Sequence, residues 1–134
     1  MDHKTELVAS VPLFAKLEPR SLDAVATLAK VLPATEGTVL VREGEPATSF
    51  FVVVSGTVHV ERDGRFVNSI TDGGFLGEIG LIEERERTAT ATCATDCQLL
   101  EFGTYEFGRV VATFPDVKAR VEAAAARRPH PADA

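Results

Sequence analysis

The sequence is short of the residues that metal and thiol chemistry need. It has three histidines, His3, His59 and His130, and two of them lie near the chain ends. A metalloenzyme of the cupin-like β-barrel type needs clustered imidazole and carboxylate ligands on inward strand positions, which three scattered histidines do not supply. Cys93 and Cys97 form a lone Cys-x3-Cys around Ala94-Thr95-Asp96, too poor a set for zinc. They read as small apolar strand residues beside a hairpin turn. No Gly-x-Ser-x-Gly signature or nucleophile–base pair suggests catalysis, so the chain does not read as an enzyme. No apolar run is long enough to span a bilayer, and MDHKTELVAS lacks the apolar stretch of a signal peptide. The expectation is a cytoplasmic chain with no membrane partner. Positive charge is also in short supply, with 14 Lys+Arg against 20 Asp+Glu and a formal charge of −6. That is the wrong sign for a nucleic-acid binder. Any anionic ligand has to be held by a local site.

What is present fits one ordinary domain: 134 residues, 45 % of them apolar. A short helix is expected over Thr5–Ser10. Glu18-Pro19 starts a second, carrying Leu22, Val25, Ala26, Leu28, Ala29 and Leu32 at helical spacing and stopped by Pro33. From about Val31 to Phe102 the pattern turns to strands. Val39 and Val41 alternate with polar neighbours, and Phe50 to Val54 is a continuous apolar run suited to a buried strand. Val58 and Val60 alternate around His59, which reads as a polar residue facing out. Ser55-Gly56, Asp63-Gly64 and Asp72-Gly73-Gly74 are turn signals, with a strand over Phe66–Ile70. Thr88–Cys93 and Gln98–Phe102 read as a last pair. Thr104 reads as the cap of a helix to about Thr113. Phe114-Pro115 interrupts, and a further helix to about Arg128 carries Val117, Val121 and Ala124. The expected fold is mainly β with flanking helices: N-terminal helices in 1–32, an antiparallel β-roll of jelly-roll type in 33–102, two C-terminal helices in 103–128, and a disordered tail in 129–134. Phe14, Phe50, Phe51, Phe102 and Phe107 are expected in the core.

The stretch FLGEIGLIEERERTATA, Phe75 to Ala91, stands apart. A glycine-flanked turn opening a helical turn points backbone N–H groups outward and makes an anion seat. Arg87 adds a bidentate grip on phosphate oxygens, and the Thr88 hydroxyl another donor. A carboxylate such as Glu78 makes sense there only if the ligand also offers a hydroxyl, as ribose does. One arginine without lysine or metal ligands suits a singly charged phosphate. Glu83, Glu84, Arg85 and Glu86 read as solvated side chains.

The order G-E-I-G-L, a short spacer, then R-T-A resembles the phosphate-binding cassette of cyclic nucleotide-binding domains. Those domains occur in catabolite activator protein, protein kinase A regulatory subunits and cyclic-nucleotide-gated channels. VREGEPATSFFVVVSGTVHVERDG and VPLFAKL resemble further segments of the same family, so that Val11 to about Val121 can be laid along its fold. The resemblance implies roles by position. Glu78 accepts from the ribose 2′-hydroxyl and Arg87 pairs with the exocyclic phosphate oxygens. Gly77, Ile79, Gly80 and Leu81 bring backbone to the ligand, while Thr88 and Ala89 complete the phosphate seat. It implies cAMP or cGMP as ligand and no other cofactor. cAMP is favoured as the commoner ligand of bacterial-looking members, and Thr88 keeps cGMP open through the guanine amino group. Where the family often has proline before the arginine, this chain has Glu86, which puts an acid next to Arg87. In this reading Arg87 has no part in the core.

Two function classes follow. One is a regulatory module that binds a cyclic nucleotide and relays it by moving its C-terminal helices to an unidentified output protein. The other is an adaptor of the same fold that has lost its ligand and acts through protein contacts. The residues after Gly103 are used by two helices and a tail, so no DNA-binding helix-turn-helix is expected in this chain. Dimerisation is left open.

Overall fold

The computed structural model describes residues 2–78 and 86–127. The calls on Ile79, Gly80, Leu81, Glu83, Glu84, Arg85, Arg128, His130 and the 129–134 tail lie outside them. Two antiparallel four-stranded sheets face each other, with helices packed on the outer face of one. The strands are β1 (Lys30–Ala34), β2 (Val39–Val41), β3 (Ser49–Ser55), β4 (Val58–Arg62), β5 (Arg65–Ile70), β6 (Phe75–Leu76), β7 (Thr90–Cys93) and β8 (Cys97–Gly103). The first sheet runs β1-β8-β3-β6 and the second β2-β7-β4-β5. This is the expected mainly-β roll with flanking helices.

Helix α1 (His3–Ser10) begins earlier than the spacing suggests, because the Asp2 carboxylate caps it by accepting from the Thr5 N–H at 2.8 Å. That bond holds the exposed Asp2 carboxyl below its ordinary range. Helix α2 (Pro19–Leu28) starts with Pro19 at its first position. It stops at Leu28 and does not run on to Leu32; Lys30–Ala34 is strand β1, paired with β8 from Lys30↔Glu101 to Ala34↔Cys97. The residue before a proline is pushed out of the helical region, so Leu32 is extended. Pro33 is tolerated because β1 is an edge strand.

Strands β3 and β8 are buried on both faces, which explains the unbroken apolar run at Phe50–Val54. Phe50, Val52, Leu100 and Phe102 point to the helices; Phe51, Val53, Cys97 and Leu99 point into the roll. The expected β7–β8 hairpin does not form. β7 pairs with β2 and β4, β8 with β1 and β3, so Ala94-Thr95-Asp96 carries the chain from one sheet to the other. Cys93 and Cys97 are buried, free and on the inner faces of opposite sheets. Asp63 (φ 52°) and Gly64 (φ 75°) form the predicted β4–β5 turn, where left-handed backbone suits both residue types.

Helix α3 (Thr104–Thr113) has Gly103, not Thr104, at its N-cap; the Thr104 hydroxyl donates instead to the Thr48 carbonyl at 3.4 Å. Phe114 ends α3, and α4 (Pro115–Arg127) follows directly. Val117 and Val121 of α4 are buried with Val8, Phe14, Val25 and Phe102, and Arg120 donates to the Pro12 carbonyl at 2.9 Å. The N- and C-terminal helices thus share one core with the outer face of β3 and β8. His59 faces out as expected, its ring edge-on to Phe66 at 5.3 Å.

Candidate functional site

Strand β6 pairs with β3 through Phe51↔Leu76 and Val52↔Phe75, which brings the Gly77 backbone beside the first residue of β3. Gly77 has φ 98°, and a Cβ there would lie 2.7 Å from the Ser49 carbonyl oxygen and 2.9 Å from Arg87 Nη1. Both the backbone region and the space therefore require glycine. Glu78 follows and is completely buried.

Arg87 enters from the other end of the 75–91 stretch. The Arg87 N–H donates to the Glu45 carbonyl, and its own carbonyl accepts from the Gly44 N–H, each at 2.8 Å. These bonds and the Pro46–Glu86 bridge staple the stretch to the loop between β2 and β3. The guanidinium is 4 % exposed; Nη1 donates to the Gly77 carbonyl at 3.1 Å and Nη2 donates to the Ser49 carbonyl. Glu86 is exposed while Arg87 is buried, as alternate residues of extended chain should be. The acid at the family's proline position thus points away from the arginine's side of the chain. Thr88 is half-buried and Ala89 fully buried against the roll interior.

The structure thus brings Arg87 onto Gly77, the neighbour of Glu78, and places Ala89, two residues after Arg87, in the core. Glu78 and Arg87 are the only charged side chains buried among the described residues. Burying charge is costly, and sites that must recognise charged ligands are where proteins accept it. The expectation that Arg87 has no core role is corrected: its guanidinium ties β3, β6 and the cassette together through two carbonyls. Sequence reasoning also missed Ser49 and the Gly44–Glu45 backbone as its partners. Carbonyl acceptors are common to every residue type, so no side-chain pattern announces them. A cavity of about 180 Å³ lies alongside, bordered by Arg42, Glu45, Ser49, Glu101 and Arg87 among others.

A two-sheet roll that buries one acid and one arginine on a single glycine-bearing stretch has the arrangement that a charged-ligand site needs. The chain belongs to the cyclic nucleotide-binding domain family, whose model matches residues 31–114. It is 31 % identical over 123 residues to the potassium/sodium hyperpolarization-activated cyclic nucleotide-gated channel 2 of Mus musculus, covering 92 % of this chain and 14 % of the channel. The chain therefore spans only about a seventh of the length of that relative. Among solved structures, Thermus thermophilus catabolite activator protein superposes with a TM-score of 0.77 at 27 % identity, over 87 % of this chain and 57 % of that one. The regulatory domain of Toxoplasma gondii PKA, co-crystallised with cAMP, shares the fold with a TM-score of 0.80 at 21 % identity, over 93 % of this chain and 49 % of that one. No helix among the described residues is long and apolar enough to cross a membrane.

Proposed function

We propose that residues 1–128 act as a single cytoplasmic regulatory module, not an enzyme, that binds a cyclic nucleotide, cAMP in preference to cGMP, in the cassette around Gly77–Ala89. Arg87 pairs with the exocyclic phosphate and Glu78 accepts from the ribose 2′-hydroxyl. Gly77, Ile79, Gly80 and Leu81 carry the backbone to the ligand, and Thr88 and Ala89 close the phosphate seat. The observation that carries this reading is the burial of Glu78 and Arg87, and of no other charged side chain among the described residues, at the two ends of one short stretch. A charge-assisted pair to phosphate is stronger than a neutral hydrogen bond, which makes one arginine enough to hold a single phosphate.

The relay in this proposal runs through α3 and α4 to an output protein. A ligand acts as a signal only if it binds two conformations unequally. The Phe114-Pro115 break lets α4 move as a unit against the core that Val117 and Val121 enter. Hydrogen exchange tests it. Saturating cAMP is expected to slow exchange in 77–81 and also in 117–126. Slowing confined to the cassette would sink the relay while leaving the binding role standing.

A further inference from the structure

Ser49 is the first residue of β3, directly opposite Gly103, which ends β8 and caps α3. Its carbonyl accepts from Arg87 Nη2, and its hydroxyl donates to Glu101 Oε2 at 3.0 Å. Glu101 stands on β8, two residues before that cap, and pairs across with Phe51. A hydrogen-bonded line therefore runs from the cassette arginine through β3 to the strand that leads into α3. The geometry points to Ser49 and Glu101 as positioning residues for Arg87: the carboxylate holds the Ser49 hydroxyl, and so fixes the carbonyl on which the guanidinium rests.

The physical case rests on where each group sits. Ser49 begins its strand and pairs with Gly103 of β8, while β6 pairs with β3 only from Phe51 onward, so on the β6 side its carbonyl is left to meet Arg87. The bond to Glu101 is charge-assisted and half-buried, and such bonds hold geometry better than exposed neutral ones. An arginine recognises phosphate through a planar fork, so its orientation matters as much as its charge. Gly77 supplies the second carbonyl, to which Nη1 donates at 3.1 Å, so the two carbonyls together set the plane of the fork. Glu101 and Ser49 both border the cavity beside Arg87, so the line is reachable from the site and is not sealed in the aromatic core.

This inference rests on the proposed role of Arg87, and the test separates the two. Ser49→Ala, Ser49→Thr, Glu101→Ala and the double alanine variant are compared with wild type. In nucleotide-free protein, the Arg87 Nε–H signal in NMR is read for order and exchange. It is expected to be ordered in wild type and Ser49→Thr, and to broaden and exchange faster in both alanine variants. In cAMP titrations, each alanine variant is expected to bind roughly five- to tenfold more weakly, less than the full worth of a charge-assisted hydrogen bond because the lost bond positions Arg87 and does not touch the ligand. The double variant is expected to be no weaker than either single one, because both delete the same bond, and Ser49→Thr should restore affinity. An Arg87 signal unchanged in the alanine variants overturns the inference whether or not nucleotide binds. Unchanged affinity, or losses that add, overturn it as well. Wild type that shows an ordered Arg87 yet binds no cyclic nucleotide overturns the proposed function and leaves the positioning intact.

Discussion

On one face of β3 and β8, Phe50 and Phe102 meet Phe14 and Phe107 beneath the helices, with ring centroids 4.7 Å apart for Phe50–Phe107 and 5.9 Å for both Phe14–Phe102 and Phe50–Phe102. On the other face, Phe51, Val53 and Leu99 meet Val58, Ala89, Ala91 and Cys93 across the roll. The first layer is wide and aromatic and gathers both chain ends. The second is made of smaller side chains, and the chain that carries the buried charges starts and ends in it: Leu76 precedes Glu78 and Ala89 follows Arg87, both in this layer. The aromatic layer holds the fold, while the small-residue layer gives ground to polar groups. The same two strands serve both, so a change on one face should be separable from a change on the other.

The largest effect is expected on the aromatic side. Phe102→Ala should cost about 3–5 kcal/mol, the usual range for emptying a buried phenylalanine site. Chemical denaturation should show the midpoint collapse, with binding lost only because the protein unfolds. Arg87→Gln comes next and should differ in kind. It leaves the Gly77 and Ser49 carbonyls without their charged donor, so stability should fall by about 1–3 kcal/mol. Cyclic nucleotide binding should fall much further than that loss of folded protein can explain. If the two variants lose binding and stability in the same proportion, the contrast between the faces disappears.

Glu78→Ala should be milder and more selective. It is expected to weaken cAMP far more than 2′-deoxy-cAMP, because the deoxy analogue lacks the hydroxyl that Glu78 accepts from. Equal losses for both ligands in competition binding would make Glu78 a structural acid.

The smallest effect at neutral pH belongs to Cys93, buried in the roll with Cys97. Burial first, then contact with the Cys97 thiol, pushes the Cys93 thiol from its ordinary 9.0 up to about 12. The unfolded chain therefore loses this proton first as pH rises, so stability should be flat through neutral pH and decline between about 9 and about 12. A melting temperature that instead rises over that window in wild type relative to Cys93→Ala would contradict the buried thiol. Alkylation of Cys93 in the native protein should be slow for the same reason.

The aromatic layer was largely legible in the sequence, because large apolar residues at period 2 and period 3.6 leave few other places to go. Phe14, Phe50, Phe102 and Phe107 are all buried in that layer, Phe51 is buried on the opposite face, and the Phe114-Pro115 break falls where the proline puts it. The family resemblance also located the 75–91 stretch, since glycines, one acid and one arginine form a pattern with a chemical purpose. Pairing was less legible. The hairpin read at Ala94-Thr95-Asp96 fails because both β7 and β8 are already flanked on each side, which only the whole sheet order reveals. Strand β1 was hidden by apolar spacing that suits a helix as well as a strand, until Pro33 decides it. The structural part that Arg87 plays was not legible because its partners are backbone carbonyls.

The central claim is that a buried arginine in this roll holds the phosphate of a cyclic nucleotide. Calorimetric titration of wild type and Arg87→Gln with cAMP and cGMP, each variant checked as folded by circular dichroism, tests it most directly. Wild type should bind saturably, with cAMP the tighter ligand, and folded Arg87→Gln should give at most a small residual heat. Folded Arg87→Gln binding as tightly as wild type, or wild type giving no binding heat with either nucleotide, would contradict the claim.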